Sequence, residues 1–236
     1  MNQPDVTKLF KGDAAVAYDQ GIRRRIPGYE SLHTTTFAML ESALPESARL
    51  LVVGAGTGHE LVAYAQARPL WHMVGVDPSL DMLERARQKI AAAGVGAQVD
   101  LYHGTTDGLP TETSFDAATA VLVMHFLSDD GAKADFLQAI SQRLRKGGLL
   151  LLADMTGQPG TPAFETIFSA WKVHWCHAHG VDIGDARVEQ DFAERRARAG
   201  WIDEERHLAL FSQAGFDEPL SFWSALSFRA WSMRKR

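Results

Sequence analysis

The chain holds a single cysteine, Cys176, in 236 residues. No disulfide can form within it, which fits a reducing compartment. A lone cysteine beside His177 can act as a nucleophile, although a small buried apolar side chain is the commoner role. The ligand pairs of a zinc site are also missing. His174, Cys176, His177 and His179 crowd together without the usual spacing, so no metal is expected. Nor is there an excess of positive charge: 24 Lys and Arg stand against 29 Asp and Glu, a net charge of −5. A protein that wraps nucleic acid carries a basic stripe. Here the basic clusters are short, as at Arg23 to Arg25 and Arg234 to Arg236, which disfavours nucleic acid as a partner while leaving local patches able to act. No apolar run is long enough to span a membrane. The stretch MNQPDVTKLFKGD lacks the apolar region of a signal peptide. A cytoplasmic protein without a membrane segment is expected. Internal repeats and low-complexity tracts are absent.

What is present is ordinary globular composition, 46% hydrophobic and 22% charged, in a length suited to one large domain. Short apolar runs alternate with helical patterns. RLLVV (49–53), HMVGV (72–76), 97–102, 115–123 and 149–153 read as strands. Helices are expected over 60–67, from Ser79 as N-cap to Gly94, and over 133–144, the last closed by Arg145-Lys146-Gly147-Gly148. A turn is expected at 111–114. This alternation predicts an α/β fold, a doubly wound, mostly parallel sheet covered on both faces. After Asp154 the rhythm breaks into helices over 163–179, 188–198 and 202–214. Two strands meeting near Ala225-Leu226 then close the sheet as an antiparallel hairpin. Before Arg49, helices are expected at 13–21 and 29–44, divided by Pro27-Gly28.

The strongest chemical signal is Gly54-Ala55-Gly56-Thr57-Gly58, directly after the first strand. Glycines let the backbone turn sharply and approach a ligand closely. Asp77 ends the second strand, where such a fold offers an acid to a ribose hydroxyl pair; the alternative is a helix-capping Asp in an Asp-Pro-Ser turn. His59 stands where a dinucleotide fingerprint has its third glycine, and the loop has no phosphate-gripping lysine.

On the residues LLVVGAGTG (50–58), VGVDPSLDML (74–83), FDAATAVLVMHFL (115–127) and LRKGGLLLLAD (144–154), the chain resembles class I S-adenosylmethionine-dependent methyltransferases. The resemblance implies a Rossmann-like, seven-stranded methyltransferase fold with a helical insertion before the C-terminal hairpin. It implies S-adenosyl-L-methionine as cofactor, with Gly54, Ala55, Gly56, Thr57 and Gly58 bordering its methionine part. Asp77 would hold the ribose, and Pro78 and Met82 would flank the adenine. Thr105 and Thr106 would lie at the adenine edge, with Val121 touching the cofactor from the fourth strand. Two positions depart from the common pattern. Val52 stands where many members carry an acid, and Thr105 stands at another such place, with Asp107 close by.

The segment AYDQGIRRRIPGYESL (17–32) is similar to a subgroup that includes carboxy-S-adenosylmethionine synthases of tRNA wobble-uridine modification. That likeness implies that Arg24 and Tyr29 fold over the cofactor; the alternative is a solvated charge and a helix-start core residue. In that subgroup the fourth strand carries an Asn where Val121 aligns, and an insertion arginine holds the extra carboxylate where Gln190 or Phe192 aligns. The expected organisation is a helical cap over 1–45 and a cofactor-binding domain over 46–236, with an insertion or lid over about 156–200. The expected activity is methyl transfer to a small-molecule acceptor. The alternatives are the carboxylated-cofactor synthase and a non-catalytic cofactor-binding module. His125, just past the fourth strand, is the candidate general base, with a structural histidine as the other reading. His33 and Tyr18 are lesser candidates. The aromatics Phe164, Phe168, Trp171, Trp175 and Trp201 either wall an acceptor pocket or pack on the sheet. They also leave room for a homodimer through the insertion or the N-terminal helices.

Overall fold

The computed structural model describes residues 9–110 and 114–236, so the expected turn at 111–114 lies, apart from Ser114, outside the described residues. The elements run α1 (Asp13–Arg25), α2 (Tyr29–Ala43), β1 (Arg49–Val53), α3 (His59–Ala67), β2 (His72–Asp77) and α4 (Leu80–Ala93). They continue with β3 (Val99–His103), β4 (Phe115–Val121), α5 (Ala132–Arg143) and β5 (Leu144–Met155). The insertion contributes α6 (Pro162–His179) and α7 (Ala186–Arg198), before α8 (Glu204–Gln213), β6 (Leu220–Ala225) and β7 (Phe228–Arg234).

The seven strands form one sheet in the order β3-β2-β1-β4-β5-β7-β6. Each neighbouring pair from β3 to β5 is parallel, and β7 runs antiparallel to both β5 and β6. The expected doubly wound sheet with a closing hairpin is therefore what the chain builds. Strand alternation covers both faces. Leu51 and Val53 of β1 face a core with Leu137 and Ile140 of α5 and Phe211 of α8. Leu50 and Val52 face Leu40 of α2, Leu61 and Tyr64 of α3, and Ile90 of α4. The α2 helix thus belongs to the sheet's own cover. Val52, at the position where an acid is common, is fully buried among apolar side chains.

Local signals fix the element ends. The Ser79 hydroxyl accepts from the Met82 amide at 3.4 Å and starts α4, and Gly94 ends it at φ 70°. Elsewhere the boundaries move for identifiable reasons. β4 stops at Val121, two residues early, because Leu122 turns the chain at φ 60° and its amide bonds the Ala153 carbonyl at 2.7 Å. Arg145 to Gly148 lie within β5, whose bulged start pairs Leu144 with Phe115. The Lys235 amide holds the Gly148 carbonyl there at 2.9 Å. α1 continues four residues beyond Gly21, with Arg23, Arg24 and Arg25 at the negative end of its dipole.

The insertion packs an aromatic cluster against α1 and the end of β7. Phe168, Trp171 and Phe192 meet edge to face, and Trp171 also meets Phe228 at 5.1 Å between ring centres. The Trp171 indole donates to the Arg25 carbonyl at 2.8 Å, tying α6 to α1. Cys176 is buried, and His179 bonds its own helix through the Trp175 carbonyl at 2.8 Å. Among the described residues, no helix is long and apolar enough to cross a membrane, and no group of three or more metal-ligating side chains gathers.

Gly75 shows how tightly the layer is filled. A Cβ there would sit 2.6 Å from Leu61 Cδ1 and 3.0 Å from Ala55 Cβ. Gly75→Ala should lower stability by about 1–3 kcal/mol through overpacking, seen as a lower urea midpoint at unchanged slope.

Candidate active site

At the carboxyl ends of β1, β2 and β4 the sheet opens into three adjoining cavities. In a doubly wound sheet, ligands bind in the crevice beside the strand-order reversal, which here lies between β1 and β4.

The first cavity, of about 160 Å³, is bordered by Gly54 and Gly56 from the glycine loop, Asp77 and Pro78 after β2, and Met82 from α4. Thr105 and Thr106 form its far end and Val121 its side. Close backbone approach is built in at Gly54, where φ is 71° and a Cβ would lie 2.3 Å from Val123 Cγ2. Asp77 is buried, and burial raises its carboxyl above the usual range; the Ser79 and Gly56 amides partly offset this at 2.8 and 2.9 Å. A carboxylate has lone pairs left for further donors after those two. Thr106 carries a buried hydroxyl oxygen with no protein partner, an orphan at the far end of the cavity. Asp107 does not border this cavity; the Arg143 guanidinium takes its carbonyl at 2.9 Å.

A second, narrow cavity of about 30 Å³ continues past the glycine loop. Ala55, Thr57, Tyr29, His33, His59 and Glu60 border it. His33 is half-buried, but both ring nitrogens are buried without a partner among the described residues, and desolvation pushes its pKa down to about 3, so the ring is neutral at physiological pH. Glu60, in the first turn of α3, is buried and pushed up to about 7 by that burial, although the Tyr64 hydroxyl donates to it at 3.0 Å. Tyr64 also belongs to the layer that buries Val52, so Glu60 brings an acid to the face of β1 where the sequence has none. Gly58 borders none of these cavities. It is the left-handed residue at the start of α3, where a Cβ would lie 3.0 Å from that of Ala86. Its part is helix packing.

The third cavity, of about 260 Å³, lies between α1, the residues after β4 and the insertion. His125 borders it, with its Nδ1 at 2.7 Å from Asp154 Oδ1 and its amide donating to Asp154 Oδ2 at 3.0 Å. Asp154 ends β5 and is almost wholly buried. Burial alone would raise its carboxyl, but the charge and hydrogen bond of His125, and then Lys133, hold it below the usual range. A carboxylate only accepts, so Nδ1 donates, and in the neutral ring Nε2 is the nitrogen with a free lone pair. Of the insertion aromatics, Trp171 reaches this cavity; Phe164, Phe168, Trp175 and Trp201 do not. Arg24 is exposed and borders none of the three, whereas Arg25, one position on, borders the third.

Tyr18 and Leu122 border all three cavities, and Phe10 borders the two larger ones. Burial pushes the Tyr18 phenol up to about 12, so it remains a hydroxyl at neutral pH rather than a base. Asp19 fastens α1 to the glycine loop, accepting from the Thr57 hydroxyl at 2.6 Å and pairing with Lys89.

Comparison with known proteins points the same way. A family model described as a methyltransferase domain matches residues 51–150. A carboxy-S-adenosyl-L-methionine synthase from Campylobacter hominis is 29% identical over 153 residues, 64% of this chain and 63% of that protein. The chain therefore spans just under two thirds of that relative's length. A ubiquinone/menaquinone biosynthesis C-methyltransferase, UbiE, from Syntrophotalea carbinolica is 31% identical over 76% of this chain and 73% of its own. Among solved structures, a SAM-dependent methyltransferase from Geobacter sulfurreducens, in complex with S-adenosyl-L-homocysteine, superposes with a TM-score of 0.54 at 20% identity. That superposition covers 80% of this chain and 65% of the other.

Glu60 makes stability depend on pH. The folded chain keeps its proton to about pH 7, whereas an unfolded chain releases it near 4.5. Its contribution is fully present below pH 4.5 and is lost as pH rises through 7, a swing of about 3 kcal/mol. Because the depressed pKa of His33 works in the opposite sense over the same range, the test is the difference: in urea unfolding between pH 4.5 and 8, wild type should lose about 3 kcal/mol relative to Glu60→Gln as pH rises; parallel trends would remove this role.

Proposed function

The chain belongs to the class I S-adenosylmethionine-dependent methyltransferases, and from that premise we propose that it transfers the cofactor's methyl group to a small-molecule acceptor, with His125 as the general base. The observation that carries this reading is the adjacency of two cavities, one suited to a nucleoside and one bordered by an oriented histidine.

The first cavity suits the nucleoside half of the cofactor. Asp77 would accept from the ribose hydroxyls, Thr106 would give its orphan hydroxyl to the adenine edge, and Pro78 and Met82 would flank the ring. Gly54, Gly56 and Val121 border both this cavity and the narrow one, so they would carry the sulfur region. The methionine end would reach Ala55, Thr57 and Tyr29, with unpartnered His33 and buried Glu60 offering polar contact. Glu60 would supply the acid that Val52 does not. When bound, S-adenosylmethionine supplies an electrophilic methyl on a sulfonium.

The protein's own work is positioning, exclusion of water and one proton. Methyl transfer is an in-line displacement, so the acceptor atom must lie behind the transferred carbon. Phe10, Tyr18, Leu122 and Phe126 border both larger cavities and would hold the two reactants against each other. Asp154 fixes the His125 ring with Nε2 free to take a proton from the acceptor as its nucleophilic atom gains the methyl. Of the expected cap over 1–45, α1 would cover the site while α2 packs on the sheet, and the insertion over about 156–200 would act as the lid, with Trp171 tying it to α1.

A second reading, a synthase that carries a carboxylated cofactor, draws on the Campylobacter relative's name and on Arg195, which borders the third cavity from the insertion. The mass of a ligand released from freshly purified protein separates the two, because the carboxylated cofactor is heavier by one CO₂.

Two substitutions test the assignments. Asp77→Ala should weaken S-adenosylhomocysteine binding by roughly 10- to 100-fold in calorimetry, the loss of hydrogen bonds to a charged group; unchanged affinity would take Asp77 out of the ribose site. His125→Ala should leave that affinity within about twofold while slowing methyl transfer by about 10²–10⁴. A full rate in His125→Ala would mean that the acceptor needs no base.

A further inference from the structure

The third cavity carries an unusual charge. Arg25, Arg195 and Arg198 all border it, from α1 and α7, and no Asp or Glu is among the described residues that border it. The rest of its wall is largely apolar, including Ile22, Met155 and Phe228.

The three guanidiniums are not equivalent. Arg195 is paired within its own helix, its Nε and Nη2 lying 2.7 and 3.1 Å from Asp191, one turn earlier. Arg198 is exposed and stands at the mouth. Arg25 is the deep one: its Nε is buried and has no hydrogen-bond partner among the described residues. Among the described residues, Arg25 makes no ion pair, and its carbonyl, not its side chain, receives the Trp171 indole. Burial, and then the charge of Arg195, hold its pKa below the ordinary arginine value. A guanidinium nevertheless stays charged in a protein. An isolated buried cation is costly unless paired. A second and third cation beside it raise that cost; Asp191, already paired with Arg195, offsets part of it from outside the described cavity wall.

We infer that this cavity binds a carboxylate or phosphate group, held by the Arg25 guanidinium with Arg195 and Arg198 flanking it. This rests on the methyltransferase reading and narrows it: the ligand of the third cavity is an anion with an apolar body. An arginine fork matches the two oxygens of a carboxylate or phosphate in a bidentate pair. Asp154 does not cancel the field, since it is buried behind His125 and already paired with it. The acidic group could be carried by the acceptor or by the cofactor itself, and the two sources are separable.

The test uses the full chain, with and without saturating S-adenosylhomocysteine. Benzoate, 4-hydroxybenzoate and phenyl phosphate are titrated against benzamide and 4-hydroxybenzamide, followed by calorimetry and by tryptophan fluorescence, since Trp171 borders the cavity. The anions should bind at least tenfold more tightly than the amides. Arg25→Gln should bring the two classes to parity while S-adenosylhomocysteine still binds, which also shows that the variant is folded. Arg198→Gln, at the exposed mouth, should weaken the anions about threefold. Equal binding of anions and amides, or an unchanged preference in Arg25→Gln, overturns the proposal, as does absence of anion binding up to the solubility limit. Anion binding without S-adenosylhomocysteine binding would remove the methyltransferase reading and leave the anion site standing. To find the source, the S-carboxymethyl analogue of S-adenosylhomocysteine is compared with S-adenosylmethionine. If the analogue binds at least tenfold more tightly, loses that gain in Arg25→Gln and competes with benzoate, the cofactor carries the group. If benzoate adds to protein saturated with S-adenosylhomocysteine and the analogue gains nothing, the acceptor carries it.

Discussion

A parallel strand buried on both faces leaves no side on which a polar side chain can meet water. This constraint governs the whole molecule. In β1 every residue after Arg49 is buried, with alternate side chains committed to opposite layers. Polar chemistry is thereby pushed to the strand ends, and the reversal of strand order between β1 and β4 turns one of those ends into a crevice. The glycine loop, Asp77 and the turn at Leu122 share one rim because the sheet can place functional groups nowhere else.

The groups at that rim are themselves largely buried, and each meets the cost of burial differently. Asp77 stays beneath two backbone amides. Glu60 keeps its proton to about neutral pH. Asp154 pairs with a histidine, and His33 stays neutral without a partner. Arg25 can do none of these, since it cannot shed its proton and no Asp or Glu is among the described residues of the cavity wall. The crevice thus holds both settled and unsettled polar groups, and the unsettled ones are where a ligand has most to offer.

Most of the sheet was legible in the residues. Apolar runs bounded by Gly, Pro and Asp mark β1, β2 and the core of β4, and the offset from Gly58 to Asp77 marks the nucleoside cavity. The failures have physical causes. Arg24 and Arg25 are neighbours, and a helix turns about 100° per residue, so only the true extent of α1 decides which of them faces inward. The partnership of His125 with Asp154 spans 29 positions and exists because β4 lies beside β5. Glu60 left a faint trace, an acid at the start of α3 with a tyrosine four residues on. Gly58 belongs to the conspicuous loop, yet its place is decided by Ala86 of α4, which no local pattern announces.

Phe10 closes two cavities with one ring. It meets Tyr18 and Phe126 edge to face, each at 5.7 Å between ring centres, and its carbonyl receives the Ser79 hydroxyl at 3.3 Å. A molecule seated in either cavity therefore shares one wall with a molecule seated in the other. The ring at position 10 is a partition: what it offers to one ligand is the back of what it offers to the next.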